Sequence, residues 1–161
     1  MFSFLRMAAA LFQFSKEQGG LTRMHRLLSI SNDGVTRDLE LENVDTKRID
    51  VCFDDSMTVS INNTFEFMQI GEVYDCKIAL FGDTENRHIG EWNKYVILQD
   101  NIKIRDETFV KVSLENNIYY IYQEQVLPYL TSGDFMFECI RKDLIQVNDM
   151  INRDLYKLNR D

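Results

Sequence analysis

Between Met57 and Phe81 apolar side chains recur at every second position: Met57, Val59 and Ile61, then Phe65 and Phe67, then Tyr74, Cys76, Ile78 and Leu80. A period of two places each set on one face of an extended strand, because successive side chains point to opposite sides of the pleat. Asn62-Asn63 and Ile70-Gly71-Glu72 interrupt the alternation with residues that tolerate tight turns. The stretch predicts two or three consecutive strands with one dry face and one wet face.

The same alternation continues on both sides. Leu28 and Ile30 alternate with Ser29 and Ser31, and Asn32-Asp33-Gly34 is a hairpin signal. The return strand carries Val35, Arg37, Leu39 and Leu41 on one side and a solvated acidic set, Thr36, Asp38, Glu40 and Glu42, on the other. Ile49, Val51 and Phe53 read as the next short strand, with a turn at Asp54-Asp55-Ser56. Further strands are predicted at Tyr95 to Leu98, at Ile102 and Ile104, at Val110 to Leu114, at Ile118 to Tyr122, and from Phe135 through Cys139 toward Val147. Asp100-Asn101, Arg105-Asp106-Glu107 and Asn116-Asn117 supply turns between them, and Gln123 to Leu130 reads as a short helix or an irregular connection. Turn signals every ~8–12 residues between short strands are the pattern of a sandwich or barrel.

The two ends differ from this body. In residues 1–18, Phe4, Leu5, Ala8, Leu11 and Phe12 share one helical face, and Gly19-Gly20 would end that helix. Three readings stand: a secretory signal, which Arg6 interrupts; an amphipathic helix packing on the sheet or on a second copy of the chain; or an extension outside the domain, with Met24 as the start. Near the other end Met150, Ile151, Leu155 and Leu158 approach helical spacing. The fold class is therefore mainly β, a β-rich α+β domain. A small antiparallel barrel or sandwich, OB-like as one example, would carry short N-terminal and C-terminal helices. Residues 1–23 form the extension and 24–161 the single β-rich domain.

Composition narrows the function classes. The chain has 161 residues, the size of one domain with a core of its own, and 26 acidic against 18 basic side chains give a net charge of −8. That balance disfavours tracking a phosphate backbone, which needs Lys and Arg; a charge that simply maintains solubility is the plainer reading, and if there is a partner a basic protein suits it better. Cys52, Cys76 and Cys139 lie in apolar-alternating runs without metal or disulfide spacing, which points to a reducing cytoplasm. No run approaches the roughly 18 apolar residues of a membrane span.

Candidate chemistry is sparse. Asp83-Thr84-Glu85-Asn86-Arg87-His88 is the densest set of reactive side chains, with His88 as acid or base and Glu85 or Asp83 to fix its tautomer. The competing reading is a hydrophilic surface loop. Asp54-Asp55 with Asp83 and Glu85 could offer oxygen ligands to a hard cation, yet no spaced ligand loop is present, so neither a metal nor another cofactor is expected. Tyr119, Tyr120 and Tyr122 could stack bases or face a protein partner, the alternative being core packing. The leading expectation is a non-enzymatic, acidic protein-binding domain of inhibitor, immunity or accessory type, with Asp38, Glu40, Glu42 and the three tyrosines as its contact residues. An enzyme built on the 83–88 loop and a single-strand nucleic-acid binder are the rival expectations.

Overall fold

The computed structural model describes residues 23–34, 36–56 and 64–152, so the expected N-terminal helix, a dimer contact through residues 1–18, the alternation at 57–61 and the tail beyond 152 lie outside it. Among the described residues nine strands form one sheet: β1 (Met24–Asp33), β2 (Thr36–Asn43), β3 (Ile49–Asp54), β4 (Val73–Asp83), β5 (Glu91–Ile104), β6 (Glu107–Leu114), β7 (Asn117–Tyr122), β8 (Asp134–Val147) and β9 (Met150–Ile151). No helix of seven or more residues occurs among the described residues.

The strand order is β3-β2-β1-β4-β7-β6-β5-β8-β9, and β8 also pairs with β4 and β3. The β4–β8 ladder is thereby shared by two rings of strands, β4-β7-β6-β5-β8 and β4-β1-β2-β3-β8. A single parallel residue pair closes each ring: Ala79 with Tyr120 in the first and Phe53 with Asp143 in the second. One core fills both rings. It joins Leu27, Leu39, Leu41 and Cys52 to Ile78, Leu80, Tyr95, Tyr119, Phe135 and Phe137. Tyr95 meets Phe137 edge-on at 6.2 Å and Tyr119 edge-on at 6.4 Å, the offset geometry aromatic quadrupoles favour. A second cluster, including Ala79, Ile104, Phe109, Ile118, Tyr120 and Ile145, covers the other face of β4 and β7.

Local chemistry explains most of the turns. Glu115 and Asn116 both take positive φ (49° and 66°), as a tight hairpin between β6 and β7 requires. Gly82 is needed for a different reason: a Cβ there would overlap the backbone carbonyl oxygen of Glu138, so only glycine lets β4 press this close to β8.

Several expectations are corrected. Phe65 and Phe67 do not lie in a strand. Residues 64–67 form a turn in which the Met68 N–H donates to the Phe65 carbonyl at 3.2 Å, so their spacing of two reflects the turn. Asp100-Asn101 is not a break between strands; β5 runs through it, with register shifts after Ile97 and Gln99 and Asn101 at φ 53°. Met150 and Ile151 pair back on Val147 and Gln146 as β9 instead of starting a helix. Gln123–Gln125 and Leu127–Tyr129 are two 3₁₀ turns.

His25 on β1 is buried, and its Nδ1–H donates to the Arg23 carbonyl at 2.6 Å. Burial lowers its pKa from 6.5, outweighing the carbonyl and the Asp50 and Asp75 charges that act the other way. The unfolded chain therefore takes up this proton first, and stability present above about pH 6.5 falls as pH drops through the lowered folded value. Urea midpoints are expected to decline between pH 7 and 5, and the His25→Asn variant to lose that part of the slope.

A candidate docking face on β2 and β3

The site begins with a strand that faces the reverse of a simple apolar-in pattern. In β3 the acids Asp50 and Asp54 are buried with Cys52, whereas Ile49 and Val51 are 51% and 54% exposed. The inward acids hold this register because each is met by cations and donors. Arg37, at an apolar-phase position of β2, donates from Nε (3.1 Å) and Nη2 (2.8 Å) to Asp54, and its Nη2 also reaches the Phe65 carbonyl. Asp50 accepts the Tyr119 hydroxyl at 2.6 Å, and Lys142 Nζ (3.0 Å) and Arg48 Nε (3.2 Å) approach its other oxygen. Burial alone would raise the Asp50 pKa, but the Tyr119 hydroxyl and the Lys142 ammonium prevail and hold it below the usual carboxylate value. A one-residue slip would turn both acids to solvent and strip Arg37 and Lys142 of their partners.

With the acids inside, the outer face of β2 and β3 becomes two adjacent rows. Glu42 lies opposite Ile49, Glu40 opposite Val51, and Asp38 opposite Phe53. Along β2 the three carboxylates repeat at about 6.7 Å, two residues of strand rise. No ion pair reaches any of them among the described residues. On the far flank β1 places Arg26, Ser29 and Ser31 beside the acids, and the Arg26 guanidinium donates to the Gly71 carbonyl at 2.8 Å.

Beyond the apolar row the surface drops into a cleft of ≈ 660 Å³ between β3, β8 and the 88–91 segment. Ile49, Val51, Ile89 and Ile140 contribute apolar walls, and Glu91 and Lys142 charged ones. Arg141 closes one side, its guanidinium 5.0 Å from the Phe53 ring and 4.9 Å from Phe81.

No protein-family model, curated protein or solved structure matches the chain. Function must therefore be argued from this geometry.

The 83–88 loop is organised by a residue outside it. Glu138 has no solvent exposure, and its carboxylate accepts the backbone N–H groups of Arg87 (3.2 Å), Ile89 (3.0 Å) and Gly90 (3.2 Å). Burial opposes ionisation, but the donors from Gly90, Arg87 and Ile89 together hold the carboxyl below its ordinary value. His88 projects outward at φ 59°, with its N–H on the Asn86 side chain. Asp83 and Glu85 are engaged by Arg87 at 3.1 and 3.6 Å, so an acid–base pair with His88 would require one of them to leave that cation. The Glu138→Gln variant is expected to speed hydrogen exchange at Arg87, Ile89 and Gly90 roughly tenfold while the β4–β8 ladder stays protected, read by amide exchange.

The other candidate residues fall elsewhere. Tyr119 and Tyr120 are buried, their hydroxyls on Asp50 and Arg23, so they present no ring face to a partner or a base. Tyr122 is half-buried against Phe109 at 4.6 Å. β7 is paired by β6 on one side and meets β4, and Asn117 to Ile121 are buried, so of the three expected contact tyrosines Tyr122 alone keeps partial exposure. Asp54 belongs to Arg37 and Asp55 accepts from Asn152, and no group of three or more His, Cys, Asp or Glu among the described residues could hold a metal ion. Burial pushes the Cys139 thiol at the cleft up to about 11, which keeps it protonated and a poor nucleophile at neutral pH. The alternation marks Ile49 and Val51 as strand residues without an outward role, and it assigns none to Ile89, Ile140 or Glu138. Period two defines two faces of a strand but does not say which is inside.

Proposed function

We propose that the protein is a non-enzymatic docking module that binds a basic protein partner through the outer face of β2 and β3, as an inhibitor, immunity or accessory factor. The observation that carries this reading is the row of three carboxylates, Asp38, Glu40 and Glu42, in register with half-buried Phe53 and exposed Val51 and Ile49. Acids with no cation of their own raise the encounter rate of a basic partner, and the apolar row supplies contact area that water would otherwise cover. The ring formed by β4, β7, β6, β5 and β8 supports reading the scaffold as a small barrel that presents this face rigidly. Three buried free thiols fit a reducing cytoplasm.

The test places a photo-crosslinking residue at Glu40 and, separately, at Asp106 in the β5–β6 turn, in cells of the native host. A basic protein captured from position 40, absent from position 106, and lost when Val51→Lys is added supports the proposal. No adduct at position 40, or the same adducts at both positions, overturns it.

A further inference from the structure

The partner's local conformation is also written into the face. β3 is the terminal strand of the sheet order; it pairs with β2 along its length, and its backbone ladder with β8 is the single Phe53–Asp143 pair, while Lys142 of β8 also reaches the inward Asp50. That pair is parallel, so the two strands run the same way, and no ladder pair joins them on the Ile49 side of Phe53, where residues of β3, β8 and the 88–91 segment line the cleft. Along Ile49–Val51 the described backbone therefore pairs on one side only. Open edges of this kind are normally shortened, charged or covered, because their free N–H and C=O groups recruit another strand. Here the side chains flanking the edge are apolar and exposed.

We infer that the partner, on the reading given above, docks as an extended segment that adds to the free edge of β3, with Lys or Arg at every second residue. Register and distance select that chemistry. An added strand would lie about 4.8 Å from β3 and roughly 9.6 Å from β2. Its outward side chains cross Ile49 and Val51 and then reach Glu42 and Glu40, whereas Asp38 lies beyond the end of the free edge, beside Phe53, which β8 already pairs. A long basic side chain suits both rows, its methylene stem on the apolar residue and its charged head at the carboxylate. A short apolar residue would leave the acids unmet, and a basic helix would leave the strand edge unpaired. Strand addition of this type draws affinity from main-chain hydrogen bonds and selectivity from alternate side chains.

The probe is an acetylated, amidated octapeptide of alternating Lys and Val, compared with an isomer carrying four Lys followed by four Val. The alternating peptide is expected to bind at least tenfold tighter and to slow amide exchange within Ile49–Val51. Glu40→Lys, which leaves the edge intact, is expected to weaken it by a similar factor. Equal binding of the two isomers without protection of β3 overturns strand addition while leaving a basic partner in place. Binding of neither peptide overturns both. Protection in the free protein of those Ile49–Val51 amides that point away from β2 also overturns strand addition, because another part of the chain, or a second copy, would already hold the edge.

Discussion

Replacing Arg37 with alanine is expected to cost about 3–5 kcal/mol of folding stability, the range for removing one partner of a buried ion pair. The size follows from what is left behind. Asp54 is buried, and Arg37 is the cation that meets it, through Nε at 3.1 Å and Nη2 at 2.8 Å. Without the guanidinium the buried carboxylate loses both of the hydrogen bonds and the cation that Arg37 brings to it. The Phe65 carbonyl loses a donor at the same time, loosening the turn that carries Phe65 into the core. For a chain of this length the loss corresponds to roughly 10 °C in melting temperature. A double variant, Arg37→Met with Asp54→Leu, is expected to recover most of it, since two apolar residues of similar volume leave no charge unpaired. Urea unfolding of the single and double variants measures both. If Arg37→Ala unfolds like the parent, the pair does not hold the register of β3.

Reversing Asp38, Glu40 and Glu42 to lysine is expected to slow association with the basic partner about 10–100-fold at low ionic strength, with a much smaller change in dissociation. The three carboxylates form one row that no ion pair reaches among the described residues, Arg26 beside Glu42 being turned to the Gly71 carbonyl, so their fields add at the face the partner approaches. Added salt is expected to narrow the difference, because the screening length falls to about 10 Å at 0.1 M. Folding stability should be unchanged or slightly higher, since spreading like charges along an exposed strand is not what holds β2 in place. Val51→Ser should show the converse signature, a faster dissociation at nearly constant association rate. Stopped-flow mixing with the partner captured at position 40 reads both rates.

How much of this was legible in the chain depends on which residues decided it. The alternation of Leu39 and Leu41 with Asp38, Glu40 and Glu42 placed both faces of β2 correctly, because one set is apolar and the other charged. Phe135, Phe137 and Cys139 likewise declared an inward face. In β3 the alternation was just as regular, but both faces carried a plausible claim to the interior. The decision rested on Arg37, Arg48, Lys142 and Tyr119, which reach Asp54 and Asp50 from other strands. Such partners are invisible to a window moved along the sequence. The role of Glu138 is hidden for the same reason: only folding brings the three backbone donors of Arg87, Ile89 and Gly90 onto it. Phe65 and Phe67 erred in the opposite direction, since spacing alone does not separate a strand from a turn. The acid row could be read from sequence; the apolar row beside it, and the cleft beyond, could not.

Thiol labelling tests the orientation of β3 most directly. The Val51→Cys substitution, in the parent protein, is expected to react with a maleimide at the rate of an exposed thiol, while the native Cys52 one residue along reacts only on unfolding. Rapid labelling of Cys52 in the folded protein, with the thiol at position 51 protected, would show that the acids of β3 face outward and that the docking face does not exist.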